Sequence, residues 1–426
     1  MTAESQLVEE EERPTGWERA FAAVIIVLLT GAFMNLFLTP EQQLDPSEGL
    51  PAMRYLWAAI YVVVLIMLRR YCKGSLGLLL QERAILLLTA VAVVSAIWSD
   101  APATTLRRSV ALAGTLVMAL YFAWRFKFRE QLQILVWGFA ACAAFSFLFG
   151  VFHVGHSVDD LQGAWYGAYT QRNELGTVMV FGALTFLVWS RMPGKPEWIG
   201  WSLAAGAFGL IVLSGSITSM LAFGVLVCTI PMIWLIRRFE RTGRFLILLG
   251  VVLIGVGWWV GTSFDVVTEA MGRDSSLTGR TELWGASILF GLNHPVLGYG
   301  YNAFWMGLEG QSADVWQIVG WAAPSAHNGL LEIWLDLGLA GVAIVIYSFG
   351  SSLRRAFEMV RDTANWQYAW PLLFLVILFV MNLTESAFFE GNSIYWFLYM
   401  VTAMDLTLLE KQRRKTSPAL LSGANP

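Results

Sequence analysis

Twelve apolar segments divide this chain, and segments of such length permit few folds. They fall at about 18–38, 52–68, 84–98, 107–124, 131–151, 175–190, 198–214, 218–236, 245–262, 328–349, 368–386 and 392–408. Each runs roughly 16–22 residues, close to the ~20 that an α-helix needs to cross a bilayer. Because lipid offers no hydrogen-bond partners, the backbone of such a segment must satisfy its own polar groups, as a helix does. The chain is therefore predicted to be an all-α polytopic membrane protein with about 12 transmembrane helices.

The positive charge lies almost wholly on one side of these segments. If the N-terminus is inside, 22 of the 28 Lys and Arg residues fall in inside loops and tails. By the positive-inside rule both termini are then cytoplasmic. The predicted divisions are a tail at 1–17, helices at 18–262, a large periplasmic loop at 263–327, helices at 328–408 and a tail at 409–426. Six arginines remain outside: Arg54, Arg107, Arg108, Arg172, Arg273 and Arg280.

Composition supports the membrane class and limits the partners. The chain is 57% apolar and 14% charged, whereas a soluble domain carries about 25% charge. The net charge of −3 says little, because the charge is segregated between the two sides. Membrane lipids are expected as partners, and nucleic acid is not. The sequence contains no phosphate-binding glycine loop, and its outer loops show no metal-ligand spacing, so neither a cofactor nor a metal is expected.

The loop at 263–327 is the only segment long enough for an extramembrane subdomain. A helical pattern at 280–291 and many aromatic residues argue that it is ordered. The other long outer loops run from 39 to 51 and from 152 to 174. Aromatic residues in the outer loops fit an interfacial belt, and carbohydrate stacking is the alternative for Trp165, Tyr166, Tyr169, Trp305, Trp316 and Trp321.

His327 is the strongest candidate for chemistry. It closes the large loop and opens the tenth predicted span, and Asn328, Glu332 and Asp336 follow at helical spacing. Carboxylates inside a span are costly, and by default they indicate function. Histidine can serve as a general base near neutral pH. A helix N-cap at His327 and Asn328, with an interhelical contact from Glu332, is the alternative.

Arginine side chains on the outer face are candidates for holding phosphate, because their planar fork suits phosphate oxygens. Arg280 stands near a helix N-terminus, where the macrodipole opposes a positive charge. A surface ion pair with Asp274 or Glu282 is the alternative for it. Two further candidates lie at the outer ends of spans, namely the pairs Arg172 with Asn173 and Arg107 with Arg108. For these arginines, contact with lipid headgroups is as plausible a role as contact with substrate. Ser214 and Ser216 form a polar hairpin that is read either as an anion site or as a plain turn.

Several stretches together resemble the O-antigen ligase/polymerase superfamily, including exopolysaccharide polymerases of the Wzy and ExoQ type. They span roughly 95–345 and are Trp98-Ser99 with Thr105–Arg108, Arg172–Gly176, Ser214–Thr218, Thr278–Thr281 with Trp284 and Pro295–Gly300, and His327-Asn328 with Glu332 and Gly338–Gly341. The resemblance implies a helical fold related to the GT-C glycosyltransferases. It also implies a metal-independent, inverting transfer of undecaprenyl-diphosphate-linked glycans at the periplasmic face of the bacterial inner membrane.

Carried over by motif, the resemblance implies a diphosphate clamp at Arg280 and a central histidine at His327. Glu332 is expected either to orient His327 or to line the site. The family often has Arg or Lys where this chain has Ile217, so Arg172, Arg107 or Arg108 are candidates for the missing contact. The expected partners are the lipid-linked donor, an acceptor glycan and a chain-length regulator. Polymerisation of lipid-linked repeats is favoured, ligation to lipid A core is the alternative, and a flippase for a lipid-linked glycan is a candidate from another class.

Overall fold

The computed structural model describes residues 14–36, 51–159, 163–238 and 278–422. Within these ranges the chain forms helices and no strands. The α-helices are α1 Gly16–Leu29, α2 Pro51–Arg69, α3 Cys72–Leu79, α4 Arg83–Val94, α5 Pro102–Arg125, α6 Phe128–Phe152, α7 Arg172–Ser190, α8 Glu197–Ser214, α9 Ile217–Arg238, α10 Thr278–Gly291, α11 Gln311–Val319, α12 Gly329–Asp362, α13 Trp370–Met381 and α14 Ile394–Ser422. The predicted span at 245–262, Arg273 and most of the outer loop at 39–51 lie outside the described residues.

Long apolar helices confirm the helical membrane class. Among the described residues, seven helices are long and apolar enough to cross a membrane, namely α2, α5, α6, α7, α8, α9 and α12. The helices at Arg83–Ile97 and Trp366–Met381 are apolar but shorter. The chain is thus a multi-pass membrane protein, while the count of about twelve spans, the orientation and the GT-C relation stay predictions.

Ion pairs gather at the helix ends that the charge pattern assigns to the cytoplasm. They join residues distant in sequence: Arg125 with Glu18 at 2.9 Å, Arg355 with Glu82 at 3.0 Å, and Arg413 with Asp362 at 2.7 Å. The ends of α5 and α12 therefore meet the beginnings of α1 and α4. This alternation agrees with the predicted up-and-down order of the spans.

A break in α12 locks this helix to the outer subdomain. Gly338 has φ 64° and ψ −165°, which frees carbonyl groups in the preceding turn. The amides of Tyr299 and Gly300 donate to the carbonyls of Leu335 and Asp336 at 2.8 and 2.9 Å. A Cβ on Gly338 would stand 2.1 Å from a backbone carbon of the segment 295–300. Glycine is therefore required where the two backbones cross.

The outer subdomain has a hydrophobic core of its own. Its buried members are Leu283, Ala286, Tyr299, Phe304, Trp305, Val315, Ala323, Ala326 and Leu335. They come from α10, α11, the loop between these two helices, the segment 320–328 and the outer turn of α12. The predicted helix at 280–291 and the predicted order of the described part of the large loop are both confirmed.

Polar residues end α13 earlier than the sequence predicts. The helix stops at Met381, whereas the predicted span runs to 386. The Asn382 side chain donates to the carbonyl of Leu378 at 2.8 Å and accepts from the amide of Ala387 at 3.2 Å. The chain thereby turns into a loop at 382–393, which runs under the outer subdomain and returns to α14.

Candidate active site

A cavity of about 530 Å³ opens among the outer ends of the helices. Its wall comes from the beginnings of α5, α7 and α12, from the segments 301–305 and 324–327, and from the loop 382–393. The lining side chains with chemical potential are Arg108, Asn173, Glu174, Tyr301, His327, Glu332, Asp336, Glu385, Glu390 and Tyr395. Residues from positions 108 to 395 thus meet in one chamber.

Glu385 binds three of its neighbours at once. Its Oε2 lies 3.2 Å from Nδ1 of His327, and its Oε1 accepts from Nη2 of Arg280 at 3.2 Å. The side-chain amide of Asn173 also donates to Oε1, at 3.1 Å. The side chains of Arg280, His327 and Glu385 are 12%, 17% and 19% exposed, so this ion pair is shielded from bulk solvent.

The backbone around His327 is held in an unusual conformation. His327 has φ 47°, in the left-handed region that residues other than glycine seldom adopt, although Asn, Asp and His do so more often than the rest. The indole of Trp284 donates to the carbonyl of Ala326 at 2.9 Å, and Trp316 donates to Ala323 at 2.8 Å. Trp321 stacks on the imidazole with ring centres 6.1 Å apart. Such overdetermined strain is typical of functional sites.

The contact with Glu385 fixes which nitrogen of His327 can act. Burial opposes ionisation of Glu385, but the hydrogen bond from His327 and the charge of Arg280 outweigh it, so the pKa of this carboxyl lies below its usual value. An ionised carboxylate can only accept, so Nδ1 of His327 must donate. In a neutral ring Nε2 then carries the free lone pair, which is the arrangement that a general base requires.

The two carboxylates of α12 line the same cavity as His327. Oε2 of Glu332 accepts from the amide of Ala326 at 2.9 Å, and the hydroxyl of Ser386 lies 3.4 Å from it. Glu332 therefore holds the residue next to His327, and Glu385 is the carboxylate that contacts the imidazole. Asp336 is 3% exposed, and its Oδ1 has no hydrogen-bond partner among the described residues.

Glu390 is a second acidic group in the loop 382–393. Its side chain is exposed, but it opens onto the cavity and is enclosed by the protein around that cavity. Burial, together with the charge of Glu174, raises the pKa of Glu390 to about 7, against the effect of Arg108. This carboxyl can therefore donate or accept a hydrogen bond near neutral pH.

The structure separates the predicted outer arginines. Arg108 lines the cavity and donates to the carbonyl of Asn302 at 2.8 Å, whereas Arg107 is exposed and lies outside the wall. Neighbouring positions on a helix point about 100° apart, which accounts for this difference. Arg172 lines a second cavity of about 270 Å³, and Asn173 belongs to the walls of both.

Arg280 stands behind the wall rather than in it. It reaches the site through Glu385, and its Nη1 is buried with no partner among the described residues. Among the described residues Arg280 pairs with Glu385 rather than with Glu282. The other predicted partner, Asp274, lies outside the described residues, so that alternative stays a prediction.

Ser214, Ser216 and Asn328 stand outside this cavity wall. The hydroxyl of Ser214 donates to the carbonyl of Ile211 at 2.7 Å, and Ser219 donates to the hydroxyl of Ser216 at 3.0 Å. Asn328 caps α12 by accepting from Leu330 and Leu331. These contacts give the three residues structural roles, and substrate binding by them stays a prediction. Ile217, the first residue of α9, also lies outside the wall.

Glu385 and Glu390 are the site residues that the sequence reading missed. Glu385 fell at the end of a predicted span, and a carboxylate within a span indicates function. That signal was available, but the partners of Glu385 lie 58, 105 and 212 positions away, which no local pattern shows.

Comparison with known proteins agrees with this picture. Residues 202–346 match the family model described as O-antigen ligase. Over 350 residues, 77% of this chain and 78% of the relative, the chain is 28% identical to the exopolysaccharide production protein ExoQ of Rhizobium meliloti strain 1021. The family segment contains Arg280, His327 and Glu332, and the longer match extends this likeness to most of the chain. The chain is therefore similar to the O-antigen ligases and to an exopolysaccharide production protein, as its motifs led us to expect.

Proposed function

We propose that this protein is a glycosyltransferase that polymerises undecaprenyl-diphosphate-linked oligosaccharide repeats at the periplasmic face of the bacterial inner membrane. The observation that carries the proposal is the Arg280–Glu385–His327 arrangement beside a cavity of about 530 Å³. It places a cation and an oriented imidazole at the outer ends of apolar helices. A lipid-borne diphosphate and a sugar hydroxyl are the substrates that such a pair suits.

In the proposed reaction an acceptor hydroxyl attacks the anomeric carbon of the donor. The hydroxyl proton passes to Nε2 of His327, the new carbon–oxygen bond forms, and the bond from the anomeric carbon to phosphate oxygen breaks. The undecaprenyl diphosphate leaves with the bonding electron pair. Direct displacement inverts the anomeric centre, and no metal is assigned a part in the step.

The arginines offset the charge that develops on the leaving diphosphate. Arg280 has a buried Nη1 that no described residue binds, and Arg108 lines the cavity from the opposite side, on α5. Fixed cations in a site of low polarity stabilise a developing negative charge strongly. Glu385 holds the charge of Arg280 and the tautomer of His327 together, so donor binding and base orientation depend on one carboxylate.

Polymerase is favoured over ligase by two features. The relative is named for exopolysaccharide production, and it matches over most of both chains. The stretches Leu277–Thr281 and Trp98–Arg108 resemble exopolysaccharide polymerases. The family model carries the description O-antigen ligase, so transfer to lipid A core is the second candidate.

The first test is turnover by the purified full chain in lipid nanodiscs with one lipid-linked repeat unit as sole substrate. A ladder of longer products on a gel supports a polymerase. Product that forms only when a lipid A core is added identifies a ligase. If neither condition gives a covalent product, the flippase candidate replaces the proposal.

His327→Asn separates chemistry from folding. Asn tolerates a positive φ better than most residues, so the backbone conformation is kept while the base is lost. We expect turnover to fall by on the order of 10²–10⁴-fold, with unfolding temperature close to wild type. His156→Ala is the matched control, because His156 is exposed and stands outside the cavity. Wild-type turnover by His327→Asn contradicts the assignment.

A further inference from the structure

The inner part of the cavity is a chamber of carboxylates. Five carboxyl groups line the cavity, against one arginine and one histidine, in the part of the chain that the structure describes. Arg280 compensates Glu385, and Thr170 donates to Glu174 through both its amide and its hydroxyl. Glu332, Asp336 and Glu390 remain as the acidic face, which we call the carboxylate lobe.

An unpartnered carboxylate oxygen of Asp336 indicates that this lobe binds a ligand. Its side chain is 3% exposed, and Oδ1 lacks a hydrogen-bond partner among the described residues. Leaving a buried acceptor unsatisfied costs free energy, and a hydroxyl group donated by a ligand would remove that cost.

Aromatic rings complete the wall of the lobe. Tyr301 packs edge-on against Phe389 with ring centres 5.0 Å apart, and both line the cavity beside Trp305. A sugar ring has hydroxyl groups that donate to carboxylates and C–H faces that pack on aromatic rings. The lobe also begins beside the base, since Glu332 binds the amide of Ala326, which precedes His327.

We propose that the carboxylate lobe seats the sugar whose hydroxyl attacks, and that it selects an uncharged or amino-bearing sugar against a hexuronic acid. The inference rests on the proposed function and names the substrate class for the acceptor side of that site. A neutral hexose satisfies Asp336 through its hydroxyl groups. Above about pH 7, where Glu390 is ionised, a uronate brings a like charge into this chamber, and like charges brought together in a site of low polarity repel strongly.

The test measures binding, so that it does not depend on turnover. Wild-type protein in nanodiscs, free of detergents with sugar headgroups, is titrated with methyl glucoside, galactoside and mannoside and with the three matching methyl uronides. Saturation-transfer NMR reports binding of each. We expect each uronide to bind at least about tenfold more weakly than its neutral partner.

Charge-removing variants then assign the selectivity to the lobe. Glu390→Gln and Asp336→Asn should each narrow the gap between uronide and neutral sugar, whereas Asp314→Asn, on an exposed position of α11, should leave it unchanged. Equal binding of both sugar classes by the wild type overturns the inference. An unchanged gap in Glu390→Gln overturns it too, even if Asp336→Asn does not fold. Selective binding without any glycan product would instead retain the lobe as a sugar site and reject the proposed transfer.

Discussion

Glu385 contacts an imidazole, a guanidinium and a side-chain amide that come from three different elements. In each contact a carboxylate oxygen of Glu385 is the acceptor. In glutamine one of these oxygens is replaced by an NH₂ group that donates, so at least one contact would be lost. The geometry of the site therefore depends on one negative charge. Glu385 contacts Nδ1 of His327, whereas the proton of the acceptor would pass to Nε2. We therefore regard Glu385 as a positioning residue rather than a catalytic one.

Glu385→Gln tests this positioning role. The amide of Gln can donate to Nδ1 and stabilise the tautomer that lacks a lone pair on Nε2. We expect a turnover loss on the order of 10²-fold or more, with little change in the KM for the lipid-linked donor and a shifted pH profile. Glu385→Asp, which keeps the charge, should recover part of the activity. If both variants turn over like wild type, His327 does not act through this contact.

Glu390 gives a pH-dependent prediction for stability. Burial, with the charge of Glu174, raises the pKa of Glu390 from 4.5 to about 7 in the folded state. The folded state then holds more protons than the unfolded state between these values, so stability falls as the pH rises from 4.5 to about 7. Glu390→Gln has no titrating group at this position, so this fall in stability with pH should be absent.

Thermal unfolding of both proteins across the pH range checks the sign. The unfolding temperature of Glu390→Gln should match the wild type near pH 4.5 and exceed it above pH 7 or so. A difference that is constant with pH would mean that Glu390 does not titrate in the folded protein.

The elements themselves were largely predictable because a bilayer imposes their length and polarity. The described helices α2 and α4 to α9 begin and end near the predicted apolar segments. The sequence did not show where α12 breaks, because Gly338 is one glycine among 39. Its requirement arises only when the segment 295–300 crosses it. The end of α13 at Met381 was equally hidden, because Asn382 acts as a cap only through Leu378 and Ala387.

Two glycines of the same helix give a matched test of the break. In Gly338→Ala the new Cβ meets a backbone carbon at 2.1 Å, and the residue must keep a positive φ. We expect the folded yield to collapse or the unfolding temperature to fall sharply. Gly350 of α12 has nothing within 4 Å of its Cβ position. Gly350→Ala should therefore be neutral or raise stability by about 0.5–1 kcal/mol.

If Gly338→Ala unfolds at the wild-type temperature, the crossing of the two backbones is not as close as described. The readout is the melting curve of each variant in the same nanodiscs. Glycan turnover of Gly338→Ala is expected to fall with it, because the outer turn of α12 carries Glu332 and Asp336.

At the scale of the molecule, the predicted orientation in the membrane can be tested with one residue on each side. Leu308, 86% exposed, lies in the outer subdomain, and the side chain of Arg354, 74% exposed, lies towards the far end of α12. Each is changed to Cys in a background where the native cysteines are replaced by Ser. A membrane-impermeant maleimide added to whole cells with a permeabilised outer membrane should label Leu308→Cys. Arg354→Cys should be labelled only after the inner membrane is opened.

If Arg354→Cys is labelled from outside and Leu308→Cys is protected, the orientation is opposite to the predicted one. The cavity would then face the cytoplasm, which contradicts the proposed periplasmic site. The charge pattern predicts the first outcome, since the loops that carry most Lys and Arg belong to the side of Arg354. The cavity could be placed near the outer helix ends from His327 and Glu332 alone. Its full wall could not, because Glu385 meets Arg280 across 105 positions.

The scattered origin of the cavity wall also bears on how the protein is made. A chain is synthesised from its N-terminus, and its parts fold in that order. Arg280 and His327 are synthesised before the loop 382–393, so neither can contact Glu385 at that stage. The cavity closes only when Tyr395, its last lining residue along the chain, has been added. A nascent chain released before that point contains His327 and Arg280 but no assembled cavity, so the site forms only at the end of synthesis.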